Sequence, residues 1–281
     1  MDIKDLKAAL EQKYHIKVLA VYLIGSVARK TATEDSDFNI SFIFVNDLKK
    51  YLSIREPVQH IHDILVQRDP MITHLTIDGA TRQADVRGYD IRFVLQKIHC
   101  WDFRTYNLLW SEQVGSVNPE TTEQHIIREL NGLARSCMNP LALASEAISI
   151  ARSPIVMHGS HDKRIYSNQA LDFLWHTCQA LLFLHGLHGS FYFSDLHSTL
   201  SHVIEFGPSY QLSAEACDAL HLIYHEAYNA KRTDEMSEST IKLMYRVLEE
   251  VYPQVPRSHN QKHRPIEEFD RLLQLAINAP I

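Results

Sequence analysis

The chain has 281 residues, of which 45% are hydrophobic and 22% charged, with a formal net charge of -6. These values fit a soluble protein of one large or two smaller domains, and the acidic balance counts against a broad basic surface for nucleic acid, though not against a local groove. Cys100, Cys137, Cys178 and Cys217 are scattered and form no CxxC pair, which excludes a disulfide scaffold and points to a reduced, cytoplasmic setting.

No signal core interrupts the charged first stretch, MDIKDLKAALEQKY, and apolar runs such as Leu181-Leu182-Phe183-Leu184 are too short to span a membrane. Residues 3 to 13 put Ile3, Leu6, Ala9 and Leu10 on one helical face. Lys17 to Ile24 reads as a buried strand that Gly25 stops, the chain then turning into a short helix. From Phe38 to Val45 the pattern alternates, with Phe38, Ile40, Phe42 and Phe44 on one face and Asp37, Asn39 and Ser41 on the other. Further strands are expected over 61–66, 72–77 and 83–87, the last ending at Gly88. Asp90 has the character of an N-cap for a helix carrying Phe93, Val94, Ile98 and Trp101.

After about residue 113 the texture changes to nearly all helix. Asn118-Pro119 opens the first, by cap and first-turn proline. Helices are expected at about 120–136, 140–152, 167–187, 195–205, 213–229, 237–251 and 265–277, and residues 255 to 264 read as a loop. The expected division is therefore 1–113 and 114–281.

Chemistry concentrates in Gly25-Ser26 and the acidic stretch that follows. A backbone turn at Gly25, with the Ser26 hydroxyl, can hold a phosphate, and glycine permits close approach. Asp37 and Asn39 are two apart on a strand and share a face. Two carboxylates there would share two divalent cations roughly 4 Å apart, which would bind a triphosphate and activate an attacking hydroxyl. A third carboxylate from another strand completes such a cage; Asp85 is the candidate and Asp63 the runner-up. Arg29 and Lys30 add positive charge that favours phosphate. The histidine pair His221 and His225, one helical turn apart, lacks the glutamate of a metalloprotease motif. The basic run Arg257, Lys262, His263, Arg264 reads as a solvated loop.

This layout resembles the DNA polymerase beta superfamily of nucleotidyltransferases, whose signature is Gly-Ser, a gap, then Asp-apolar-Asp. Ala28, Asp35-Ser36-Asp37-Phe38, Phe42-Ile43-Phe44-Val45, Tyr51-Leu52-Ser53-Ile54 and Asp85-Val86-Arg87-Gly88-Tyr89-Asp90-Ile91 are similar to the branch linked to RNA-repair operons, over residues 15 to about 113. The resemblance implies an α+β fold: a nucleotidyltransferase core with a mixed sheet and flanking helices, followed by an all-helical domain. It implies Mg2+ or Mn2+ held by Asp37, Asn39 and Asp85, with Asp85 the candidate general base. Gly25 and Ser26, joined by Arg29 or Lys30, would hold the triphosphate. The NMP acceptor would be an RNA end, a small molecule or a protein.

Asn39 departs from the signature, standing where the family has its second Asp, and Arg29-Lys30 replaces the family's Trp-Gly. Near Ser167, Asn168-Gln169 and Leu174-Trp175 stand where the family tends to have basic residues. An amide oxygen can coordinate magnesium but brings no charge, and each 1.36 kcal/mol lost from transition-state stabilisation is about tenfold in rate. Two expectations stay open: a metal-dependent nucleotidyltransferase, slowed or with altered metal use, and a catalytically inactive protein of the same fold that binds nucleotide, RNA or a protein partner. A substitution introduced into the natural chain at position 39 would look the same.

Overall fold

A computed structural model describes residues 1–33, 36–53, 59–61, 74–115, 118–161, 164–186, 195–231, 233–256 and 266–279. Asp63, most of the strand expected over 61–66 and the basic run 257–264 lie outside these residues, while the strand expected over 72–77 is present at His74–Ile77.

The contact pattern gives two compact units. The first comprises Met1–Ala28, Glu34–Met138 and Lys262–Ile281; the second comprises Arg29–Thr33 and Asn139–Gln261.

The first unit is built on a mixed sheet. Helix α1 (Ile3–Tyr14) is N-capped by Asp2 and buries Ile3, Leu6 and Leu10. Strand β1 (Ile16–Ile24) is followed by the short helix α2 (Gly25–Ala28) and strand β2 (Phe38–Asn46). A turn of helix, α3 (Leu48–Tyr51), then leads to β3 (His60–Ile61), β4 (His74–Ile77) and β5 (Ala80–Asp90). The strand order is β1-β2-β5-β3, with β4 also paired to β5. Among the described strands, β2 and β5 pair in parallel and the other strand pairings are antiparallel. β5 begins three residues earlier than expected, where it pairs with β4 across the Asp78-Gly79 turn, and continues to Asp90, where it pairs with β2 and β3. Gly88 sits where any β-carbon would lie 2.3 Å from the Phe42 ring, so glycine lets that phenylalanine fill the core across β5.

Alternation along β2 separates two faces. Phe38, Ile40, Phe42 and Phe44 join Ile3, Leu6, Leu10, Val18, Val21 and Leu23 in one buried cluster. The opposite face is covered in part by α4 (Ile91–His99), and α5 (Phe103–Leu109), α6 (Thr122–Cys137) and α12 (Ile266–Ile277) complete this unit. Asp90 caps α4 through the Arg92 N–H at 2.8 Å. It is fully buried and also accepts from Asn46 Nδ2 at 2.7 Å and from the Tyr51 hydroxyl at 2.5 Å.

The second unit is helical: α7 (Pro140–His161), α8 (Ser167–Leu184), α9 (Leu196–Glu205), α10 (Ala214–Asn229) and α11 (Glu238–Val251). α8 packs on α7, α9 and α10. It buries Phe173, Leu174, Trp175, Cys178, Leu181, Leu182 and Phe183, more than one stripe, as a central helix must. α7 runs past the expected end at 152 and carries Pro154 in its interior. The whole is thus α+β, a mixed sheet with flanking helices followed by a helical region. No helix among the described residues is long and apolar enough to cross a membrane.

Candidate active site

The site starts at the end of β1. Gly25 has φ +74, and a β-carbon there would lie 2.9 Å from Asn39 Nδ2 and 3.2 Å from Asn39 Cβ. Both the backbone conformation and the neighbour therefore require glycine. The Gly25-Ser26 turn and the Asn39 side chain are in direct apposition, and Ser26 is half-buried on α2.

Register across the sheet sets the rest. Ile24 pairs with Asn39 on β1–β2, and Asn39 pairs with Asp85 on β2–β5. Asn39 and Asp85 are thus adjacent on one face of neighbouring strands, which lie about 4.8 Å apart. Asp37 precedes β2. Ser36, Phe38 and Ile40 are buried while Asp37 and Asn39 are half-buried, so the alternation carries Asp37 onto the Asn39 side. Arg82 pins this entry to β2, donating to the Ser36 carbonyl at 3.1 Å with its guanidinium 5.5 Å from the Phe38 ring centroid.

Asp85 is not an open carboxylate. Arg87, two residues on along β5 and on the same face, donates from Nε to Oδ1 at 3.2 Å and from a terminal nitrogen to Oδ2 at 2.5 Å. In the adjacent row Arg87 pairs with Ser41, and Ser41 with Tyr22. The Ser41 hydroxyl is buried with no hydrogen-bond partner among the described residues, a polar atom whose desolvation costs about 1–3 kcal/mol. Burial pushes the Tyr22 hydroxyl far above its ordinary range, with the Gln113 side chain opposing part of that shift.

The donors do not fit a paired-cation cage. Asn39 supplies an uncharged amide, and a guanidinium covers both oxygens of Asp85. Among the described residues no group of three or more His, Cys, Asp or Glu side chains is placed to hold a metal ion.

Arg29 and Lys30 follow α2 in sequence but belong to the helical unit, where each faces a carboxylate. The Arg29 guanidinium lies 2.7 Å from the Asp172 carboxylate and 5.9 Å from the Trp175 ring centroid. Lys30, in a left-handed backbone conformation, lies 3.5 Å from Asp195 Oδ2. Asp195 caps α9 through the Ser198 N–H at 2.7 Å. Partial burial works to raise its pKa, but the Ser198 N–H and hydroxyl and the Lys30 charge outweigh it and hold the carboxyl below the usual range.

Sequence reasoning did not assign the Arg87 clamp on Asp85. The signal was present, since residues i and i+2 on a strand share a face. The partners of Arg29 and Lys30, Asp172 and Asp195, had no sequence signal.

A search of curated proteins returned no match. Residues 3–118 match the family model of the nucleotidyltransferase domain. That match supports the polymerase-beta-like superfamily, with nucleotidyl transfer as the general chemistry and an NTP as the implied substrate. The mixed sheet, with the row running from the Gly25 turn through Asn39 to Asp85, is therefore similar in sequence, as in its fold, to a nucleotidyltransferase domain.

Proposed function

We propose that the first unit binds a nucleoside triphosphate at the Gly25-Ser26 turn, beside Asp37, Asn39 and Asp85. We further propose that the chain acts as a nucleotide-binding protein of nucleotidyltransferase fold rather than as an efficient transferase. One observation carries this reading: the position between the turn and Asp85 is an amide, Asn39, packed against Gly25. The phosphate-holding turn is retained while the charge that would gather cations is missing. Arg29 and Lys30 carry less weight, because both belong to the second unit. Residues 1–113 supply the nucleotide side of this reading, and residues 114–281 the surface for an acceptor RNA or protein partner.

A second reading, a working Mg2+- or Mn2+-dependent nucleotidyltransferase, is favoured by the register of Asp85 beside position 39, where a third carboxylate belongs. One experiment separates the two. The protein and its Asn39→Asp variant are incubated with labelled NTPs, Mg2+ or Mn2+, and cellular RNA and protein. The binding reading expects an NTP-induced rise in melting temperature for both and label transfer by the variant alone. Comparable transfer by the native chain establishes the second reading, and no melting shift with any NTP overturns both.

A further inference from the structure

The misfit between this donor set and a cation cage has a positive counterpart. Three carboxylates on one face would repel a triphosphate unless divalent cations intervened. Here the face holds two carboxylates, Asp37 and Asp85, and one guanidinium, Arg87, leaving a single net negative charge. Arg87 projects from the same face of β5 as Asp85 and is the register partner of Ser41, one row from Asn39. Its side chain is 44% exposed, so a ligand at the sheet face can reach it while Asp85 fixes its orientation. A guanidinium carries five N–H donors in a planar fork, matches phosphate geometry and stays charged at all physiological pH values. The Asp85 pairing also orders the side chain before any ligand arrives, which lowers the entropic cost of using it.

We infer that this site takes its nucleotide without a divalent metal, with the Arg87 guanidinium, positioned by Asp85, serving as the phosphate-facing cation. The inference rests on the nucleotide-binding reading above and specifies the form of the ligand: a metal-free nucleoside polyphosphate. Asp85 becomes a positioning residue for Arg87 rather than a metal ligand.

The two roles of Asp85 predict opposite results. Calorimetric titration of the full chain with ATP, GTP, CTP and UTP, each in EDTA and in Mg2+, gives the first comparison. The expected result is binding of at least one of them in EDTA with a Kd within about threefold of its value in Mg2+, since little coupling to the metal is predicted. Titration with Mg2+ alone is expected to give no binding. Arg87→Met is expected to weaken binding in EDTA by about tenfold or more, the usual scale for a charge-assisted phosphate contact, with Arg87→Lys restoring part of it. Asp85→Asn is expected to weaken binding in EDTA by about threefold or more, because the neutral amide no longer holds the guanidinium in order, whereas loss of a metal ligand would weaken binding only in Mg2+. Binding that requires Mg2+, saturable binding of Mg2+ alone, or unchanged binding of nucleotide by Asp85→Asn in EDTA overturns the inference and leaves the nucleotide site standing. Absence of nucleotide binding in every condition overturns the site as well. The native-chain titrations decide the question even where the Arg87 variants fail to fold.

Discussion

Asn39 presses its amide against the backbone of Gly25 so closely that the smallest side chain at 25 would come within 2.9 Å of Asn39 Nδ2. The two residues are fourteen apart in sequence and belong to one unit, and their contact makes the turn and the strand a single surface.

Gly25→Ala tests that surface directly. A left-handed backbone at a non-glycine residue costs about 1–3 kcal/mol, and here the added carbon also displaces Asn39. The expected outcome is a loss of that size in urea unfolding, together with loss of the NTP-induced rise in melting temperature.

Asn39→Asp puts a carboxylate beside Asp85 in direct register. Like charges in adjacent strand positions destabilise, so the variant is expected to lose about 1 kcal/mol in EDTA. Mg2+ should restore that loss, because a cation that binds only the folded state stabilises it. Melting temperatures of both proteins across a Mg2+ series check this, the native protein responding little.

Asp90 gives a pH dependence of known sign. Burial raises its pKa above the ordinary 3.8, against opposing hydrogen bonds from Tyr51, Arg92 and Asn46. The folded state therefore holds the proton more tightly than the unfolded chain, and this contribution to stability falls as pH rises from 3.8 through the raised folded value. Relative to Asp90→Asn, which cannot titrate there, the native protein should lose denaturant resistance across that window and then level off. Urea midpoints of both proteins from pH 4 upward measure it.

Asp195 should behave in the opposite sense. Its folded pKa lies below 3.8, so its stabilisation is complete above that value and is lost as pH falls through the folded one. Asp195→Ala removes the α9 cap and is expected to cost about 1–2 kcal/mol at neutral pH, with the difference shrinking in acid. Paired urea titrations at neutral and acidic pH read both effects.

Much of this was legible in the residues. The alternation of Phe38, Ile40, Phe42 and Phe44 gave β2 and placed Asn39 on the face away from that core, and Asp90 followed by an apolar helical stripe gave the α4 cap. What escaped depends on packing over distance. α7 continues through Pro154 because Ala144, Ala147, Ile148, Ala151 and Ile155 keep one face buried across it, which outweighs a local breaker. β5 is longer than its apolar pattern because β4 lends it hydrogen bonds. Helix α5 gave too short a periodic signal to be expected, although Asp102 caps it. The carboxylate partners of Arg29 and Lys30 lie more than 140 residues away in sequence, at Asp172 and Asp195, a pairing that no local pattern signals.

The membership of α12 in the first unit bears on how the protein is made. His99 meets Phe269 edge to face at 5.2 Å, and Phe269, Leu272 and Ala276 are buried there. A nascent chain that has passed the ribosome exit only to residue 138 therefore displays an unfinished hydrophobic layer, and segments synthesised first generally fold first. Final closure of the first unit must wait until translation has delivered residues 266–277, so a chaperone that shelters the early product would have its substrate in that interval.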